Sequence, residues 1–95
     1  METRDAYRQK IEAQLKEWGE TIDELKKKAE KAAGDLKAEH EDDIKKLTAK
    51  KNELQGQLKE FMASSDEAWK IMKKALEKAA EDLKKAFAKA RQKYK

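Results

Sequence analysis

The stretch Glu39-His40-Glu41-Asp42-Asp43 sets one imidazole among four carboxylates, the combination that ligates divalent metals or relays protons. On a helix, Asp43 shares a face with His40, three residues before it. Helical metal sites use a His-Glu-x-x-His or a Glu-x-x-His pair, and the residue three before His40 is Lys37, so neither pair is present. Without ligands converging from a second element, the stretch reads as a solvated acidic face that a basic helix can pair with.

A second constellation closes the chain, where Lys84, Lys85, Lys89, Arg91, Lys93 and Lys95 fall within the last twelve residues and no acid stands among them. Such an end can contact phosphate backbones or anionic lipid, with Phe87 and Tyr94 as apolar contacts. The same cations also suit the negative end of a helix, and the 39–43 acids can neutralise several of them. Trp18 and Trp69 could stack on a ligand, but both fall on apolar seams and read as core anchors. Met62 and Met72 read as gap-fillers in the same core. The sequence has no Gly-rich phosphate loop, no nucleophile beside a base and no Cys. The expectation is a non-enzyme with no cofactor and no metal.

The elements that carry these residues are helices. Of 95 residues 46% are charged, with three Gly and no Pro, and 15 of the apolar residues are Ala. Few large apolar side chains remain for a core, so association is expected from composition alone. Residues 1–65 hold 14 basic and 15 acidic side chains, whereas 66–95 hold 10 and 5, which concentrates the net charge of +4 in the last third. No apolar run approaches the roughly 18 residues that span a bilayer, and the N-terminal stretch lacks the apolar centre of a signal peptide. A cytoplasmic location is expected.

Apolar residues recur at Tyr7, Ile11, Leu15, Trp18, Ile22, Leu25, Ala29, Ala32 and Leu36, a heptad-like seam that continues through His40, Ile44, Leu47, Lys51, Leu54, Leu58 and Phe61. A second seam runs Trp69, Met72, Leu76, Ala79, Leu83, Phe87, Ala90 and Tyr94. Between them, Ser64 followed by Glu67 fits a capping box. The spacing predicts a long helix over about 3–62, a loop over about 63–65 and a helix over about 66–94, all in one helical coiled-coil domain. Pairing about that loop sets residue i near 128 − i, which brings Lys85 to Asp43 and Lys89 to Glu39, so the acidic stretch faces the basic end.

This hairpin leaves Tyr7, Ile11, Leu15, Trp18, Ile22 and Leu25 uncovered, at a cost of about 1.5–3 kcal/mol for each large side chain. Two arrangements cover them. A bend near Gly34 gives a three-helix bundle within one chain. A straight first helix, roughly 90 Å long, gives an antiparallel homodimer in which three-helix bundles form at both ends by exchange of the N-terminal halves. The dimer is the expected arrangement, because one helical Gly costs only about 1 kcal/mol and the seam resumes at Leu36. The six residues from Tyr7 to Leu25 are then self-association residues.

The segments RDAYRQKIEAQLKEW, IDELKKKAEKA and DEAWKIMKKALEKAAEDLKKAFAKA resemble a family of short bacterial coiled-coil stress-response proteins first named from a cyanobacterium. The distinguishing residues are Arg4, Asp5, Ala6 and Tyr7, the run from Gln14 to Trp18, and the Ala68-Trp69 pair after an acid. The resemblance implies a cytoplasmic helical protein linked to stress, with no catalytic residues to carry over. Two functions are therefore expected in competition: a coiled-coil structural or interaction protein with an unidentified protein partner, and a basic-ended helical protein that binds anionic membrane or nucleic acid.

Overall fold

A computed structural model describes residues 3–94 of the chain. All regular structure among them is helical: α1 (Arg4–Lys31), α2 (Gly34–Ala63) and α3 (Asp66–Lys93). None of these helices is long and apolar enough to cross a membrane.

Each helix begins where the local chemistry allows it. The hydroxyl of Thr3 accepts from the amide of Ala6 at 3.1 Å and starts α1, with Asp5 in the positive first turn. At the second junction the two serines divide the work. Ser64 closes α2, its hydroxyl donating to the carbonyl of Phe61 at 2.6 Å, while Ser65 accepts from the amide of Ala68 at 3.3 Å and caps α3. The capping box expected from Ser64 and Glu67 is thus not formed. The cap sits one residue later, because Ser64 satisfies an orphan carbonyl of the preceding helix instead.

The continuous helix expected over 3–62 is broken. Ala32 and Ala33 are extended, and Gly34 has φ +62°. That left-handed value costs a side-chain-bearing residue roughly 1–2 kcal/mol and glycine almost nothing, so Gly34 is what lets the chain reverse here. The magnitudes decide the matter: opening one turn of helix costs a few kcal/mol, whereas covering six large apolar side chains returns about 1.5–3 kcal/mol for each. Within one chain that cover also avoids the loss of translational freedom that pairing two molecules would cost.

Two ends fix the helix directions. Arg4, at the start of α1, donates to the carbonyls of Met62 and Ser64 and pairs with Asp66, while Lys28 near the end of α1 reaches Tyr94 at the end of α3. So α1 and α3 run parallel and α2 runs against both. The longest dimension is 51 Å, about one 30-residue helix and far short of a 60-residue rod.

Between the helices lies one core. Tyr7, Ile11, Leu15, Trp18, Ile22, Leu25 and Ala29 from α1 meet Ile44, Leu47, Leu54, Leu58 and Phe61 from α2, and Leu76, Ala80, Leu83, Phe87, Ala90 and Tyr94 from the third segment. Tyr7 packs on Phe61, which meets Trp69 edge-on, and Trp18 stacks on Phe87 with planes 2° apart. Lys51, a charge on the α2 seam, is half-buried where Gly19 makes room: its Nζ and Cε lie 3.6 and 3.7 Å from where a Cβ on Gly19 would sit. Leu36 departs from its expected place in the seam and is 53% exposed, since the break at 32–34 interrupts the helical phase that put it on one stripe with Ala29.

Candidate functional site

The polar residues that the fold gathers most closely lie where the end of α1, the start of α2 and the end of α3 meet. His40 is only 2% exposed, as its place on the apolar seam implies and unlike the solvated face read for the 39–43 stretch as a whole. Its ring lies flat on Tyr94, with centroids 3.7 Å apart and planes within 5°. The Tyr94 hydroxyl donates to Oδ2 of Asp43, one turn after His40. Lys93 completes the cluster, its Nζ 3.0 Å from Asp43 and 2.5 Å from Glu39. Lys28 donates to the Tyr94 carbonyl at 3.0 Å, so all three helices are tied at this end.

The acids of the 39–43 stretch do meet the basic end, but in another register. Expected partners were Lys85 for Asp43 and Lys89 for Glu39, whereas Lys93 serves both, about one helical turn beyond the partner expected for Glu39 and about two beyond that expected for Asp43. The tilt of every Cα–Cβ bond toward its own helix N-terminus acts in this direction, and the long Lys93 side chain adds reach. In α2 that tilt carries side chains away from the 64–65 junction, and in α3 toward it. A side chain of α2 therefore meets one attached further along α3 than backbone mirroring predicts.

The cluster perturbs its own titration. The hydrogen bond from Tyr94, with that from Lys93, holds the Asp43 carboxyl below its ordinary value against the opposing effect of burial. Burial first, then the bond to Asp43, pushes the Tyr94 phenol up, and the bonds to Glu39 and Asp43 raise the Lys93 ammonium. A depressed carboxyl stabilises the fold above its unfolded value of 3.8 and loses that contribution as pH falls through the folded value. A raised phenol acts oppositely, stabilising below 10.0 and failing as pH climbs through its folded value. Asp43→Asn should accordingly lower the melting temperature at pH 7 by several degrees, about 1 kcal/mol, and flatten the acid limb below the ordinary carboxyl value of 3.8. Parallel acid limbs for the variant and the parent in thermal melts would show that Asp43 does not hold this end.

Beside the cluster, Lys28, Lys31, Ala32, Leu36, His40, Lys93 and Tyr94 line a cleft of about 350 Å³. Nε2 of His40 is buried without a hydrogen-bond partner, which ordinarily costs about 1–3 kcal/mol. The α2 N-terminus opens here with no side-chain cap.

The other expected site residues are distributed differently. Tyr7, Ile11, Leu15, Trp18, Ile22 and Leu25, expected to join two molecules, are all buried inside the chain's own core. The uncovered stripe on which self-association rested is therefore covered by α2 and α3. The basic set is not brought together: Lys84 borders a hollow with Tyr7, Ile11 and Gln14, Lys89 borders another with Asp43 and Lys46, and Lys93 is engaged by the acids. Lys85 and Arg91 are exposed, and Lys95 lies outside the described residues. Lys28, Lys31 and Leu36 were not singled out for a site by the sequence, since only the turn at 32–34 folds them toward Tyr94. Among the described residues no three His, Cys, Asp or Glu converge as metal ligands. Comparison with protein-family models, curated proteins and solved structures finds no match for the chain.

Proposed function

We propose that the chain is a non-enzymatic interaction module, built as an antiparallel three-helix bundle that completes its core without a second copy. The observation that carries this reading is the burial of the whole Tyr7–Leu25 stripe within one chain, which leaves mixed-charge helix faces and the two ends as the surfaces a partner would meet. The residue types agree with it: the only His is stacked on Tyr94, and both Ser are used at the helix junction. The stress association is implied by the resemblance alone and enters as the condition under which to look for the partner. Light scattering at micromolar concentration should return the mass of one chain, 11.0 kDa. Photo-crosslinking from position 71, where Ile71 is 76% exposed, should give a discrete adduct with another protein in stressed cells. A mass of two chains, with adducts only to itself, would replace the module by the exchanged homodimer.

A second reading has its own observation. Lys85, Lys89 and Arg91 are exposed on α3 and make no ion pair with the described residues, so they could meet an anionic membrane surface or nucleic acid. Binding of this kind should be strong at about 50 mM salt and fall steeply toward 200 mM. Retention of the melting temperature by Lys85→Glu with Lys89→Glu, together with loss of sedimentation on phosphatidylglycerol vesicles or of a DNA shift, would favour it. No binding at the lower salt would remove it.

A further inference from the structure

We propose that the cleft at the α1–α2 turn binds a small carboxylate carrying a compact apolar body. Four observations converge there, and none depends on the chain acting as an interaction module.

The charged side chains lining the cleft are Lys28, Lys31 and Lys93, all basic. The Lys93 charge is met by Glu39 and Asp43. Lys28 donates to a neutral carbonyl, and Lys31, one turn later, makes no ion pair or hydrogen bond with the described residues, so both, in the last turn of α1, lack a carboxylate partner among the described residues. Two ammonium groups thus stand on one edge of the cleft. On the adjoining edge α2 begins without a side-chain cap, and Ala32 and Leu36, which flank that start, both line the cleft. Unbonded amides at a helix start and the positive end of its dipole favour an anion.

The third observation is His40. It lines the cleft, is 2% exposed, and its Nε2 has no partner within the protein. A ligand oxygen would supply one where a small side-chain adjustment opens Nε2 to the cleft. The fourth is the apolar part of the lining, made by Ala32, by the half-exposed Leu36 and by the stacked His40 and Tyr94 rings. At about 350 Å³ the space sits at the lower end of small-molecule pockets, with room for one ring and a short chain. Asp35 in the first turn of α2 already meets part of the positive helix start, which favours a singly charged carboxylate over a doubly charged phosphate.

The test is a titration of the full chain with 4-phenylbutyrate, followed by amide chemical shifts, against 4-phenylbutan-1-ol as the uncharged counterpart. Shifts should cluster at residues 28–40 and 93–94, and the alcohol should bind about tenfold more weakly, since it lacks the charge that Lys28 and Lys31 meet. Lys31→Gln, an exposed change that leaves the core alone, should weaken the acid about fivefold or more while leaving the alcohol unaffected. Leu36→Ser should weaken both probes alike. Equal affinity for acid and alcohol would overturn the proposal. So would shifts spread over the lysine-rich outer faces, or an unchanged affinity in the Lys31 variant whose spectrum shows it folded.

Discussion

Trp18→Asp should abolish the cooperative unfolding transition of the chain. A domain of 95 residues is held by roughly 5–14 kcal/mol. Truncating a buried Trp costs about 3–5 kcal/mol through lost transfer energy and the void left behind. Here the void would open against the face of Phe87, which loses its stacking partner 5.4 Å away. A carboxylate placed at a position 6% exposed adds several kcal/mol more, or must take up a proton to remain there. The sum reaches the whole stability of the chain. Circular dichroism at pH 7 should show a shallow, non-cooperative melt, and Trp18→Phe should recover a sigmoidal one. Trp69→Ala, at a half-buried position on the rim of the core, should cost clearly less. A melting temperature for Trp18→Asp within about 5 °C of the parent would mean that Trp18 is not in the core. The same substitution also separates the two arrangements open to the sequence. If Trp18 served only to join molecules, the variant would remain folded at half the mass.

The α1 stripe was legible because spacing alone sets which side chains share a face, and steps of three and four from Tyr7 to Ala29 leave one choice. The second junction was legible for a similar reason: two Ser and an Asp in a row offer caps and little else. The turn at 32–34 was not, because Ala32 and Leu36 extend the apolar seam across it and a single glycine weighs little against a 60-residue pattern. What marks the break is the positive φ of Gly34, a property of the backbone that glycine permits but does not announce. The ion pairs were legible in kind, acids of 39–43 against the basic end, yet shifted in register, since side-chain tilt is absent from a count along the backbone. The candidate site depends on both of these. Lys28, Lys31 and Leu36 line one cleft with Tyr94 of their own chain only when the chain turns at Gly34, and His40 reaches Tyr94 only in the tilted register.

Gly34→Ala should therefore move the protein toward the arrangement that the seam pattern suggested. In the bent chain the new Cβ meets no atom within 4 Å, so the substitution acts through backbone conformation rather than through a clash. Holding alanine at φ near +62° costs about 1–2 kcal/mol, while in a continuous helix alanine gains about 1 kcal/mol over glycine. The balance between bent and straight chains shifts by about 2–3 kcal/mol, a factor of roughly 30 to 150. A straight chain uncovers the Tyr7–Leu25 stripe, and a second straight chain can cover it with the same contacts, so the shift appears as dimerisation by exchange. The parent should scatter as one chain at micromolar concentration, and the variant as an increasing share of two chains between about 10 and 500 μM, with slightly higher helicity from residues 32–34. The cleft would be rebuilt across the two molecules without its turn, and binding of 4-phenylbutyrate should fall with it. A variant that stays a single chain across this range and melts with the parent would show that the turn does not depend on glycine. The reversal at 32–34 would then have to be held by the packing of α1 on α2 alone.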